Sequence, residues 1–135
     1  MGELKMEGLN HIGVIVRDIE VSKKFYTGVL DCKVENDRVI EKEDGDVKIS
    51  FVSNGNLCIE LIQEAGEYTC TPDGIVAHIA FNCRDIDSCF EELKSRGAEM
   101  ITPEIVDLPH FFDRGCRYFL FKGPDGETLE LNEIL

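Results

Sequence analysis

Four residues of this chain have side chains suited to gripping a divalent metal ion: His11, Glu60, His78 and Glu130. Two imidazoles and two carboxylates form a mixed N/O donor set of the kind that suits first-row transition metals. Their order repeats along with their type. Glu60 follows His11 by 49 residues and Glu130 follows His78 by 52, and each His opens an apolar run while each Glu lies inside one. Taken singly, each residue has a blander reading. A histidine in an apolar run is usually a hydrogen-bonded core or edge residue, and a glutamate on an edge strand usually faces water. Yet a carboxylate within an apolar strand is costly to bury unless it is paired or bound to a metal. One N/O metal centre accounts for all four residues at once. With no thiolate in the set, Ni²⁺, Co²⁺, Mn²⁺, Fe²⁺ and Zn²⁺ all remain open.

The elements that must position these residues are duplicated. HIGVIVRDIEVSKKF from His11 and HIAFNCRDIDSCFEE from His78 share His-Ile and then Arg-Asp-Ile followed by an acid, at a constant offset of 67. The ends of the halves match as well: FVSNGNLCIEL, from Phe51, and LFKGPDGETLEL, from Leu120, are each an apolar strand, a glycine-containing turn and a second apolar strand carrying the Glu. Two copies of one supersecondary unit explain this. In the first copy, Leu9 to Val16 reads as a strand, and Asp18 caps a helix from about Ile19 to Val29 whose buried stripe is Val21, Phe25 and Val29. In the second, Asp85 caps a helix through Ser95 with Ile86, Cys89, Phe90 and Leu93 as its stripe, and Gly97 ends it. Weaker strands are expected near Cys32–Ile40 and Ala98–Ile101. A hairpin closes each unit, with Asn54-Gly55 as turn residues in the first. The expected fold is α+β: two βαβββ modules, at about 7–62 and 76–134, forming a curled mixed sheet around a metal-binding cleft. The linker 63–75 joins them within a single domain spanning 1–135. Alternation places Glu60 on the face of Cys58 and Ile62, and Glu130 on the face of Thr128 and Asn132, so a pseudo-twofold brings one His and one Glu from each half to a common point.

The remaining features bound the function. The 135-residue length fits one domain with a substantial core. A net charge of −13, spread along the chain, disfavours nucleic acid and anionic lipid as partners and is read chiefly as a source of solubility; a small-molecule substrate is the expected partner. No apolar run approaches the length of a membrane span and no signal peptide is legible, so a cytoplasmic location is expected. The six cysteines contain no CxxC pair and are read as reduced thiols, most of them small buried hydrophobes. The stretch 102–115, TPEIVDLPHFFDRG, reads as irregular and as a candidate flap over a pocket, with His110 as a solvent-exposed loop residue and Phe111-Phe112 as an anchor or pocket wall. Arg17 and Arg84 are expected to brace the helix starts or pair with neighbouring acids.

LNHIGV and VAHIAF at the start of each half, and GPDGETLEL near the end, resemble the vicinal oxygen chelate superfamily over about residues 7 to 134. That family includes glyoxalase I, methylmalonyl-CoA epimerase, fosfomycin-resistance proteins, extradiol dioxygenases and bleomycin-binding proteins. The His-Glu-His-Glu order is most similar to bacterial glyoxalase I (lactoylglutathione lyase), whose ligands map onto His11, Glu60, His78 and Glu130. Epimerases usually carry Gln where this chain has Glu60. Fosfomycin-modifying enzymes and extradiol dioxygenases use a His-His-Glu set, and antibiotic-binding members have generally lost the ligands. The resemblance implies a lyase or isomerase that transfers a proton through a metal-chelated enediolate of a 2-oxoaldehyde hemithioacetal. Glu130 would be the displaceable ligand and base, and Glu60 would return the proton. It further implies nickel or cobalt as the metal, a low-molecular-weight thiol such as glutathione, and a homodimer. The glutathione-contacting basic residues of glyoxalase I have no match here. An epimerase-like isomerase and a non-catalytic drug- or metabolite-binding protein are the alternatives.

Overall fold

Two short parallel pairings organise the chain. In the computed structural model, which describes residues 5, 9–70, 74, 76 and 78–135, β1 (Ile12–Ile15) lies parallel to β4 (Leu57–Gln63), and β5 (Ile79–Asn82) lies parallel to β9 (Thr128–Ile134). Between them run α1 (Ile19–Gly28), β2 (Lys33–Ile40) and β3 (Val47–Asn54) in the first half. In the second half come α2 (Ile86–Ser95), β6 (Glu99–Met100), β7 (Val106–Leu108) and β8 (Cys116–Lys122). The strands form two sheets, β1-β4-β3-β2 and β5-β9-β8-β6, with β7 also on β8. The expected α+β architecture is present, as two sheets and without a closed barrel. Positions 71–73 and 75 of the expected linker, residue 77 at the start of module two and residues 7–8 at the start of module one lie outside the described residues.

The helices begin where the sequence predicts. Asp18 accepts hydrogen bonds from the Glu20 and Val21 amides at 3.0 and 3.4 Å, and Asp85 accepts from Ser88 at 3.4 Å. Each supplies an acceptor to helix amides that otherwise lack one. Gly97, at φ +83°, follows the C-cap of α2 as expected. The stripe on α1 differs from the expected one. Ile19, Ser22 and Tyr26 are buried, whereas Val21 stands 52% exposed. At 3.6 residues per turn, a strict four-residue spacing drifts about 40° at each step, so Val21 rotates out to solvent while Phe25 and Val29 stay only partly covered. Ser22 carries no hydrophobic signal and yet faces the core. On α2 the stripe is as expected, although Cys89 is only half-buried.

Both helices cover one face of their sheets. Ile59 and Leu61 of β4 and Leu129 of β9 point into a continuous core with Ile86, Phe90, Phe119 and Phe121. Phe90 meets Phe119 edge-on at 5.0 Å. The first hairpin turn is displaced by one residue from the expected one. Asn54 pairs with Leu57, so the turn residues are Gly55-Asn56, and Gly55 leads the turn at φ +59°. A glycine at the first central position is what turns of the II′ family require. The 102–115 stretch is not wholly irregular, because β7 takes Val106–Leu108 into the second sheet. Phe111 and Phe112 are 56% and 61% exposed, and His110 is exposed as expected. Only Cys32 and Cys116 of the six cysteines are buried, fewer than expected.

The halves are tied together at both ends. Asp125, in the β8–β9 turn, accepts from the Arg17 amide at 3.1 Å and pairs with its guanidinium, which lies 4.6 Å over the Tyr68 ring. Arg96 at the end of α2 reaches Asp31 at 2.9 Å and the Val29 carbonyl at 3.1 Å. Beside the first tie, Glu127 folds over Gly123, and a Cβ there would collide with its carboxylate. Glu127 Oε1 and the Tyr26 hydroxyl are both buried without a hydrogen-bond partner. Burial foremost, and then the nearby Asp125 charge, raise the pKa of Glu127 against the lowering effect of backbone N–H groups. The folded chain therefore favours the protonated carboxyl. The resulting stability is complete below the ordinary glutamate pKa of about 4.3 and is lost as pH rises through the higher folded-state value. Glu127→Gln should accordingly stabilise the protein by about 1 kcal/mol at neutral pH, as expected for relieving an unpaired buried charge. Urea denaturation should show this gain shrinking towards pH 4.

Candidate metal centre

The candidate ligands lie on the sheet faces opposite the helices. In the first sheet Gly13 is the register partner of Glu60, and His11, two residues earlier, falls on the same side by alternation. In the second sheet Ala80 is the partner of Glu130, and His78 precedes Ala80 by the same two residues. The correspondence extends to the third strand, where Phe51 is paired with Glu60 and Leu120 with Glu130. The backbone repeats it too: Val16 donates to the Ile62 carbonyl at 2.8 Å, and Cys83 donates to the Asn132 carbonyl at 3.0 Å. Pairing the first strand of each half with its last therefore sets each His and its Glu at matched register positions.

In the first half the two side chains meet. His11 Nε2 lies 3.4 Å from Glu60 Oε1, with the two side chains 36% and 20% exposed. The edge of the His11 ring is turned on Phe51, with centroids 5.4 Å apart. His11 Nδ1 lies 2.6 Å from Asn10 Oδ1. A carbonyl oxygen only accepts, so this network assigns the proton of a neutral His11 to Nδ1. Nε2 then presents its lone pair to a carboxylate oxygen. Two facing acceptors at this separation repel each other weakly, and a cation or a bridging water between them would relieve that repulsion. The distance also suits neighbouring ligands of one divalent ion, whose N and O donors stand about 2.0–2.2 Å from the metal. Asn10 takes the part of the outer partner that orients a metal-binding imidazole. It is a residue that type and spacing do not single out, although its position directly before His11 is a usable signal.

The second half is arranged differently. His78 is exposed, and no ion pair within 4 Å joins it to Glu130. Glu130 Oε2 instead accepts from Asn132 Nδ2 at 3.2 Å. Asn132 Oδ1 is buried without a partner, and Cys116 Sγ is 3.9 Å from its amide nitrogen. Among the described residues, no group of three or more His, Cys, Asp and Glu side chains is close enough to hold a metal ion. The structure thus brings together His11 and Glu60, but not the four residues at one point. None of the four lines the cleft of about 680 Å³ between β1, β5 and α2. The 102–115 stretch does not line it either.

Two α-on-β modules, each with its first strand parallel to its last, form the vicinal oxygen chelate fold, and this chain carries a histidine and a glutamate at matched strand positions of each module. The chain matches the Glyoxalase/Bleomycin resistance protein/Dioxygenase superfamily over residues 8–131 and belongs to that superfamily. It is 36% identical over 126 residues to the uncharacterized protein YwbC of Bacillus subtilis, covering 90% of this chain and 94% of that one. It is also 28% identical over 100 residues to the ethylmalonyl-CoA/methylmalonyl-CoA epimerase of Cereibacter sphaeroides, covering 69% of this chain and 73% of the epimerase. Its fold is shared with the genomically encoded fosfomycin resistance protein FosX from Listeria monocytogenes, solved in complex with Mn(II) and a sulfate ion. There the TM-score is 0.71 and the identity 22%, over 96% of this chain and 94% of that one.

The acceptor-to-acceptor contact at His11 can be tested without any metal. In Glu60→Gln an amide N–H replaces the carboxylate and can donate to Nε2. At pH 8, where imidazoles are ordinarily neutral, this substitution should stabilise chelator-treated protein by about 0.5–1 kcal/mol in chemical denaturation.

Proposed function

We propose that this protein is a metal-dependent lyase or isomerase of the glyoxalase I kind, acting on a small substrate with two neighbouring oxygens. The observation that carries this reading is the His11–Glu60 pair, whose facing acceptors at 3.4 Å a cation would bridge, together with its counterpart at matched register in the second sheet. His11 and Glu60, which already face each other, would hold the ion, with His78 and Glu130 proposed as its ligands from the matched positions of the second half. Nickel or cobalt is the first choice by resemblance, with manganese, iron or zinc as further candidates. When bound, the metal supplies Lewis-acid polarisation of the two substrate oxygens.

The residues of the chain do the rest. Glu130, the displaceable ligand of the set, removes the proton from the carbon beside the carbonyl, because it lies on an open sheet face where substrate can reach it. Asn132 Nδ2 donates to one of its oxygens at 3.2 Å, leaving the other available for the proton. Glu60 returns the proton from the opposite half. The proposed substrate is the hemithioacetal of a 2-oxoaldehyde with a low-molecular-weight thiol such as glutathione, handled in the cytoplasm. A homodimer belongs to this reading. Edge strand β2 is exposed along its whole length, and Val34, Val39 and Ile40 on it are 43%, 58% and 43% exposed.

An epimerase reading has specific support in the similarity to the Cereibacter sphaeroides enzyme. It would use the same proton removal with return to the other face. The Glu at position 60 weighs against it by resemblance, since epimerases usually carry Gln there. A drug- or metabolite-binding protein would show no proton exchange at all. Metal-loaded protein should be assayed in deuterated water with hemithioacetals of several thiols and with a methylmalonyl thioester. Turnover of a hemithioacetal is the expected result, and deuterium uptake from the thioester alone would favour the epimerase. Glu130→Gln should lower kcat by at least about a hundredfold, the scale of a lost general base, with an unchanged circular dichroism spectrum. Retained turnover in this variant would rule out the assigned base.

A further inference from the structure

The sheet face that carries His11 and Glu60 also holds an unpaired guanidinium at the end of a lane of isoleucines. One row of register partners crosses all four strands of the first sheet: Ile15 on β1, Ile62 on β4, Ile49 on β3 and Arg38 on β2. Glu60 stands two residues before Ile62 and so on the same side. Asp37 is turned to the opposite face, where it accepts from Lys23 of α1 at 2.9 Å, and this leaves Arg38 on the open one. Ile15 is 38% exposed, Ile49 and Ile62 are half-buried, and Arg38 is exposed. Arg38 makes no ion pair within 4 Å among the described residues. Its neighbours on that face, Asn36 and Ile40 along β2 and Val47 and Phe51 on β3, carry no charge. The fold does not demand this row. The matched positions of the second sheet are Asn82, Asn132, Tyr118 and Val106, polar where the first sheet is apolar and apolar where it is charged.

We propose that this row seats the far end of the substrate, and that this end is a carboxylate on an alkyl or thioalkyl chain. The assignment rests on the function proposed above, which puts the two substrate oxygens at the His11–Glu60 pair. Strands lie about 4.8 Å apart and rise about 3.4 Å per residue, so the Arg38 and Glu60 Cα atoms stand about 12 Å apart. A chain running between them passes over Ile62 and Ile49, and covering its methylenes there removes apolar surface from water on both sides. Phe51, the register partner of Glu60, widens the apolar floor. At the far end a guanidinium takes a carboxylate through two parallel N–H···O bonds. One guanidinium also matches one negative charge. A phosphate dianion would keep an excess charge in the field of a chain whose net charge is −13. In a hemithioacetal the carboxylate would belong to the thiol part. A second copy pairing along the edge of β2 would extend the sheet in its own plane and leave this face open, because side chains stand out of that plane.

The test titrates isotope-labelled, chelator-treated full-length protein with hexanoate and with its uncharged counterpart hexanamide, read by NMR chemical shifts. Neither metal nor turnover enters it, so a failure here strikes the lane alone, while the metal-dependent reaction is judged by the hemithioacetal assay. Hexanoate should shift the Arg38 side-chain resonance and the Ile49 and Ile62 amides. It should bind at least about tenfold tighter than hexanamide, the scale of a charge-assisted pair. Arg38→Gln should bring the two ligands to equal affinity with a dispersed, folded spectrum, and Arg38→Lys should recover part of the preference. Equal affinity of the two ligands for the wild-type protein, the absence of saturable shifts with hexanoate, or a preference that survives in Arg38→Gln would each overturn the proposal. So would shifts confined to the second sheet.

Discussion

Everything at the candidate site depends on one backbone constraint, the parallel pairing of the first strand of each half with its last. Gly13 lies opposite Glu60, and Ala80 lies opposite Glu130. Because side chains alternate across a strand, a slip of one residue would send each Glu into the helix-covered core and a Leu to the open face. The core guards against such a slip. Ile59, Leu61 and Leu129 are fully buried on the far side of those strands, and exchanging them for carboxylates would bury unpaired charge. The apolar face thus fixes the register, and the register presents the polar face.

The same constraint explains the placement of the helices. Each short parallel strand must be followed by a crossover before its partner returns, and Asp18 and Asp85 start those crossovers by capping α1 and α2. The end of each last strand reaches back to the same corner. Gln63 Oε1 accepts from the Ile19 amide at 2.8 Å, and Glu133 Oε2 accepts from the Asp85 amide at 2.9 Å. Strand pairing and helix start are therefore one unit in each half, built twice. The halves then diverge in what they do with their polar groups. The first sets an imidazole against a carboxylate, and the second sets an amide against one. The Tyr26 hydroxyl and Glu127 Oε1 are buried on one side of the joint, while the other side is left open as the cleft of about 680 Å³. A duplicated fold holding unequal side chains has one filled seam and one open seam.

Much of this is legible without coordinates. The offset of 67 between the His-Ile and Arg-Asp-Ile segments locates both modules, because a repeated supersecondary unit must repeat its strand and its cap. Both helices begin at the aspartates that the capping argument selects. Where pattern and structure part, the reasons are local geometry. Four-residue spacing resembles a helical stripe and points to Val21 as core, but the drift of the helix puts Ser22 there instead. Asn-Gly is the stronger dipeptide signal and points to Asn54-Gly55 as the turn, yet the register with Leu57 moves the turn on by one residue. β7 escapes detection because three residues between prolines carry no pattern of their own and become a strand only by pairing with β8.

By itself the sequence determined the residue types, their duplication and the face on which each would lie, since alternation and capping are properties of a few neighbouring positions. It could not determine how near those faces come to one another. That His11 meets Glu60 through a lone pair, that Asn10 fixes the tautomer and that Glu130 turns to Asn132 are all decided by tertiary packing. Contacts at that scale depend on how two sheets and two helices settle around a shared core, and no spacing along the chain encodes a distance of a few ångströms across it.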